Sequence, residues 1–187
     1  MQEKLTVPTG KNDHIQGDDN APLEIVEYGD YQCPYCGMAY PIIKQVQKEL
    51  GKKVKLIFRN FPLSQMHPNA MNAAGAAEAA AKQGKFWEMH DKLYENQESL
   101  EPLDLDRYAQ ELDLNMNQFG KDLSSPEVAN RIDSDFNSGM HLGVNGTPTF
   151  FVNGVRYDGD WELKPFLDFL RHSAAQRPLT TNNIYQS

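Results

Sequence analysis

The two cysteines of this 187-residue chain stand close together, in the motif Cys33-Pro34-Tyr35-Cys36. The apolar run LEIVEY at 23–28 predicts a buried strand before them, and the spacing after them predicts a helix. The pair therefore lies where a strand passes into a helix. Unpaired backbone N–H groups and the positive end of the helix dipole at that point favour a thiolate, so we expect a pKa of Cys33 below the free value of about 8.5.

This arrangement predicts thiol-disulfide exchange, with Cys33 as the attacking thiol and Cys36, one turn further, as the resolving thiol. Pro34 suits the first helical position, because the N–H that it lacks has no helical partner there. A bridge across so short a loop constrains little unfolded-chain entropy, so the pair is not a structural staple. The alternative is half of a zinc site. However, the five histidines include no pair at the H-x(3-5)-H spacing, so we expect no metal.

The rest of the chain predicts an α/β fold in a single domain, 1–187. A second strand over 54–61 completes a right-handed βαβ unit, and the apolar spacing from about 62 to 143 is helical throughout. Strands then flank a short Asn-Gly turn, and a helix over 161–172 has its regular part after a proline. The tail from about 174 has no period and is expected to be mobile.

Two motifs resemble those of the thioredoxin superfamily. One is the cysteine motif at a strand-to-helix junction, with Pro41 where that superfamily's first helix is kinked. The other is Thr147-Pro148 before the hairpin, which resembles the superfamily's cis-proline loop. With the helical segment, the chain resembles the DsbA-like branch over about residues 14–172. The resemblance implies a thioredoxin fold, βαβ then ββα around a mixed sheet, with an all-helical insertion of DsbA type.

The resemblance also implies roles for single residues. The backbone of Thr147 would face the sulfurs and pair with an extended substrate strand, with Pro34 and Tyr35 on the same substrate-binding surface. Glu27, six residues before Cys33, matches the position of a partly buried acid thought to assist proton transfer at the resolving cysteine. The alternative for Glu27 is an ordinary strand residue that points to solvent.

We expect a protein thiol-disulfide oxidoreductase that acts through Cys33 and Cys36 on the cysteines of protein substrates, without a cofactor. The direction (oxidase, reductase or isomerase) and the redox partner stay open. The Pro-Tyr dipeptide, as in glutaredoxins, keeps a glutathione-linked reductase as an alternative, and a metal-binding or chaperone-like module is another. His67, Trp87 and His90 lie in apolar or helical patterns, so we expect them to pack rather than to catalyse.

Composition narrows the partners and the compartment. A net charge of -8, from 18 basic and 26 acidic side chains, disfavours nucleic acid. No apolar run approaches the roughly 18 residues of a membrane span. The first residues lack the features of a secretory signal, so we expect a cytoplasmic protein, or a periplasmic or extracytoplasmic one if a leader was removed. The sequence has no room for a separate dimerisation domain, so we expect a monomer.

Overall fold

The computed structural model describes Lys4, Leu5 and residues 7–175. The strands are β1 His14–Gly17, β2 Leu23–Gly29, β3 Val54–Asn60, β4 Thr149–Val152 and β5 Val155–Tyr157. The helices are α1 Pro34–Leu50, α2 Ala70–Ala81, α3 Phe86–Glu95, α4 Pro102–Glu111, α5 Met116–Leu123, α6 Pro126–His141 and α7 Leu163–Ala175, with a 3-10 turn at Gly51–Lys53.

The strands form one mixed sheet in the order β1-β3-β2-β4-β5. β2 runs parallel to β3, and the other neighbouring pairs are antiparallel. One face of the sheet packs against α1 and α7, in a cluster that includes Ile25, Val46 and Phe166. The other face packs against the C-terminal end of α6, through residues such as Val26 and Leu142. The predicted thioredoxin fold is confirmed, and its central strand β2 leads directly into the cysteine motif.

Helix α1 begins as the sequence predicts. Cys33 is the N-cap in an extended conformation, Pro34 occupies the first turn, and no side chain caps the free N–H groups. These N–H groups therefore remain available to a sulfur. Pro41 lies inside the helix, and Gly51 ends it with a φ of 52°, in the left-handed region that favours glycine.

Helices α2 to α6 follow one another between β3 and β4 and are called the helical block below. The block is joined to the sheet by buried polar groups. The backbone N–H and the side-chain amide of Asn60 donate to Asp135 Oδ2 at 3.0 and 3.2 Å, and the same amide donates to Glu78 Oε1 at 2.7 Å. His14 of β1 lies 2.9 Å from Glu78 and stacks on Phe86. Polar pairing thus fixes the block against one edge of the sheet.

Three details differ from the sequence predictions. Strand β1 was not predicted, because its four residues carry little pattern of their own and are held by antiparallel pairing with β3. Helix α7 begins at Leu163, so Pro165 lies within its first turn, where a missing N–H costs nothing. The same helix extends to Ala175, two residues into the predicted tail, while residues 176–187 lie outside the described residues.

Candidate active site

The two cysteines lie at the end of the central strand, under the edge of the helical block. Both are free thiols. Cys33 is 4% exposed and Cys36 is fully buried. The N–H of Cys33 donates to the Asp30 carbonyl at 3.1 Å, and the Cys33 carbonyl accepts the N–H of Gly37 at 3.1 Å, the first bond of the helix. The loop and the helix together leave one sulfur near the surface and the other behind it.

The Cys33 thiol is the more acidic of the two. A hydrogen bond from the Cys36 thiol is the largest favourable cause, followed by the Thr147 side chain and the backbone N–H groups of Cys36 and Tyr35, and together they outweigh burial and lower the pKa of Cys33 to about 5. The predicted backbone contribution is present. The sequence reasoning did not include the larger one, from the second cysteine.

Cys36 has the opposite environment. Burial raises its pKa well above the ordinary value, and the hydrogen bond to Cys33 and the charge of Glu27 act in the same direction. At neutral pH the reduced pair is therefore a thiolate at Cys33 and a thiol at Cys36. One sulfur is ready to react, and the other holds its proton.

Glu27 lies in the middle of β2, between Phe58 of β3 and Phe150 of β4. Its side chain is buried, so the alternative of a solvent-facing strand residue is wrong. Burial, with a smaller contribution from the Cys33 charge, raises the pKa of Glu27 to about 8. Within the described residues, its carboxyl group makes no hydrogen bond to either sulfur.

The second motif meets the cysteines across the site. The Thr147-Pro148 peptide bond is cis, and the Cys33 thiol lies 3.3 Å from the Thr147 carbonyl oxygen. Both loop residues are partly exposed, while Tyr35 is 62% exposed. Pro34 is exposed as well. The predicted substrate-binding residues therefore surround one sulfur and remain open to solvent.

Sequence reasoning missed Asp30, which organises the loop before Cys33. Its buried carboxylate accepts the N–H groups of Gln32 and Leu63, both at 2.8 Å, and lies 2.8 Å from His67 Nδ1. His67 thus makes a polar contact beside the site rather than an apolar one. An aspartate after a strand is so common that no signal in the sequence singles it out.

Trp87 and His90 pack as predicted. His90 is buried among aromatic rings, which include Phe58 and Tyr94, and the Trp87 indole donates to the Ile15 carbonyl at 3.2 Å. Gln97 was also missed. It reaches from the helical block to the backbone of the cysteine motif and is described below.

Other kinds of site are sparse in this part of the chain. Among residues 4–5 and 7–175, no group of three or more histidine, cysteine, aspartate or glutamate side chains is placed to hold a metal ion. Among the described residues, the metal-binding alternative therefore has only the two cysteines as candidate ligands, whereas a tetrahedral zinc site needs four ligands. None of the described helices is both long enough and apolar enough to span a membrane.

A sequence model of the thioredoxin family matches residues 9–171. The chain belongs to the thioredoxin family. Among curated proteins, the Na+/H+ antiporter NhaA 3 of Salinispora tropica is 45% identical to this chain over 161 residues. The match covers 86% of this chain and 24% of that protein. The chain thus spans about a quarter of the length of the curated relatives it matches.

Solved structures of the family share the fold. A thioredoxin-like oxidoreductase from Silicibacter pomeroyi DSS-3 aligns with a TM-score of 0.80 and 28% identity, over 90% of this chain and 95% of that one. Alpha-DsbA1 of Wolbachia pipientis aligns with a TM-score of 0.76 and 23% identity, over 90% and 96%, which shows the fold alone. The protein is therefore a member of the thioredoxin family whose fold is that of alpha-DsbA1.

Proposed function

We propose that the chain exchanges a disulfide between its Cys33-Cys36 pair and the cysteines of protein substrates. The observation that carries this proposal is the opposite shift of two adjacent thiols. The pKa of Cys33 is lowered to about 5 and that of Cys36 is raised. A thiolate is the nucleophile and the better leaving group in thiol-disulfide exchange, so Cys33 carries the reactivity of the pair.

In the oxidising direction, a substrate thiolate attacks the Cys33 sulfur of the Cys33-Cys36 disulfide. The bond between the two cysteines breaks, a mixed disulfide forms at Cys33, and Cys36 leaves and takes up a proton. A second substrate thiolate then attacks the substrate sulfur of the mixed disulfide, and Cys33 leaves as a thiolate. Two electrons pass from the substrate dithiol to this protein. The reverse sequence reduces a substrate disulfide.

We assign to Glu27 the role of donating the proton that the Cys36 sulfur takes up. With a pKa of about 8, this carboxyl group is largely protonated at neutral pH and can give a proton to the departing Cys36 sulfur. Since no hydrogen bond joins the two groups in the described structure, the transfer would pass through a bridging water.

The cis-proline loop supports a protein substrate rather than a small thiol. Thr147 presents its backbone beside the Cys33 sulfur, with Tyr35 exposed on the other side. An extended peptide that pairs with this backbone would bring its own cysteine to the Cys33 sulfur.

The low pKa of Cys33 favours the oxidising direction, because a stabilised thiolate stabilises the reduced protein. Disulfides persist in extracytoplasmic compartments and are rare in the cytosol. We therefore propose that the protein acts as an oxidant outside the cytoplasm, the second of the two compartments considered from the sequence.

A trapping experiment tests the proposed function. In a Cys36→Ala variant the Cys33 thiolate can attack a substrate disulfide, but the mixed disulfide that forms has no Cys36 to release it, so we expect covalent adducts with substrate proteins that disappear on addition of dithiothreitol. The measurement is a non-reducing gel of cell extract, followed by identification of the adducts.

The matched control is the double variant Cys33→Ser, Cys36→Ala, which keeps the fold and has no attacking sulfur. Equal amounts of adduct in the single and double variants, or none in either, contradict the proposal. Loss of adducts only when glutathione is removed would support the glutathione-linked alternative instead.

A further inference from the structure

Gln97, in the loop between α3 and α4, spans the gap between the helical block and the cysteine motif. Its side-chain nitrogen donates to the Tyr31 carbonyl at 2.8 Å and to the Cys33 carbonyl at 2.9 Å. A primary amide has two N–H donors, so both are used on this one turn of backbone. No other side chain described from the block bonds the backbone of residues 31–36 in this way.

Gly37 is shaped to receive this amide. An added Cβ at Gly37 would overlap the Gln97 carboxamide and lie only 2.6 Å from its Cδ. Gly37 is inside α1 and its φ is not in the left-handed region, so its backbone conformation does not call for glycine. A glycine inside a helix is less stable than an alanine at the same place. Close approach of the amide accounts for the residue.

The two carbonyls held by Gln97 belong to Tyr31 and Cys33, just before the residues whose N–H groups face the Cys33 sulfur. The Cys33 carbonyl also accepts the first helical N–H, from Gly37, so it is fixed from two directions. A peptide unit is planar, so holding the Cys33 carbonyl orients the whole Cys33–Pro34 unit. The turn that carries the N–H groups of Tyr35 and Cys36 begins at this unit.

We propose that Gln97 is a positioning residue for the reaction at Cys33: from the helical block, it holds the backbone of the motif so that the first turn of α1 faces the sulfur. The proposal deepens the proposed function and rests on it. A purely structural role, in which Gln97 only anchors the α3–α4 loop, would change stability and leave the reactivity of Cys33 unchanged.

The test is a Gln97→Met variant, which keeps the length of the side chain and removes both donors. We expect the rate of Cys33 alkylation by iodoacetamide at pH 6, measured on the reduced protein with Cys36 in place, to fall severalfold, because the thiolate fraction falls. The buried Cys36 thiol keeps its proton at this pH and does not compete for the reagent. The full pH profile of the rate should move to higher pH.

The matched control is Gln83→Met. The Gln83 amide anchors another loop of the block, donating to the Asn115 carbonyl at 3.2 Å and accepting its N–H at 2.9 Å, away from the cysteines. This variant should lose stability but keep the wild-type pH profile.

A second pair of variants reaches the same contact from the other side. Gly37→Ala displaces the Gln97 amide and should reproduce the shift, whereas Gly75→Ala, whose added Cβ would meet only Leu123 at 3.7 Å, should not. Wild-type profiles in both Gln97→Met and Gly37→Ala overturn the proposal. If the unmodified protein itself has no thiolate at pH 6, the proposed function fails instead.

Discussion

At the scale of single residues, two groups of the site have pKa values that are shifted in opposite directions. The pKa of Glu27 is raised to about 8 and that of Cys33 is lowered to about 5. The first makes the folded protein lose stability as pH rises from the unfolded pKa of 4.5 to about 8, because the folded state keeps a proton that the unfolded state releases. The second makes the reduced protein gain stability between about 5 and 9. In the reduced protein the two effects oppose each other.

Oxidation exposes the Glu27 effect, because the disulfide has no thiolate to titrate. For the oxidised protein, we expect the free energy of unfolding to fall by about 2–4 kcal/mol between pH 5 and pH 8, and a Glu27→Gln variant to lose most of this dependence. Urea denaturation at both pH values measures it.

Glu24→Gln is the control on the same strand. Glu24 is partly exposed and lies 3.0 Å from Lys55, so its removal should leave the pH dependence in place. A flat profile in the unmodified oxidised protein would contradict the assigned state of Glu27.

At the scale of elements, the helical block and the sheet meet through buried polar groups, which bond one another rather than water. Asp135 is 2% exposed, accepts two N–H groups of Asn60, and accepts from Arg131 at 2.6 Å. Burial raises the pKa of Asp135 to about 6, with Arg131 acting against it. A buried N–H without a partner costs the free energy of its lost hydration.

We therefore expect Asp135→Ala to lower the free energy of unfolding by about 2–4 kcal/mol at pH 7, since it leaves the Asn60 N–H buried and unpaired. Urea denaturation measures the change. Asp133→Ala, on the exposed side of the same helix, should change it by less than about 0.5 kcal/mol. Equal effects of the two substitutions would show that the hydrogen bonds between Asp135 and Asn60 do not hold the helical block on the sheet.

Elements with strong local patterns were predictable. The β-rich runs on either side of Asn153-Gly154 became β4 and β5, and the Ser125-Pro126 start became the capped beginning of α6. Strand β1 was not predictable, because its place depends on β3 rather than on its own residues.

The site was predictable only where a residue type declares its chemistry. The cysteines, the proline loop and the acid on β2 come from motifs. Asp30 and Gln97 act through hydrogen bonds to backbone atoms that are distant in sequence. Aspartate and glutamine are common in loops, so neither residue differs, in the sequence, from its many equivalents.

At the scale of the whole molecule, the redox potential measures how much the fold prefers one state of the pair. Stabilisation of the Cys33 thiolate by the folded protein must appear as greater stability of the reduced form. The difference in stability between the reduced and oxidised forms and the redox potential therefore report the same free energy.

We expect an equilibrium potential between about -270 mV, as in thioredoxin, and about -120 mV, as in DsbA, because a Cys33 pKa of about 5 lies between their values of about 7 and 3.5. Equilibration with glutathione buffers and alkylation of the free thiols measures it.

Urea denaturation of the two forms is the independent check. The reduced protein should unfold at the higher urea concentration. An oxidised form that is the more stable of the two would contradict the oxidising direction and point to a reductant.

The contact between Gln97 and Gly37 also bears on protein engineering. The two residues come from different parts of the architecture, one from the inserted helices and one from the helix that carries the sulfurs. Transplanting the insertion onto a minimal scaffold would therefore bring its glutamine against whatever side chain the recipient has at that place. Only a recipient with glycine there would accept the graft without displacing the glutamine amide from the reactive turn.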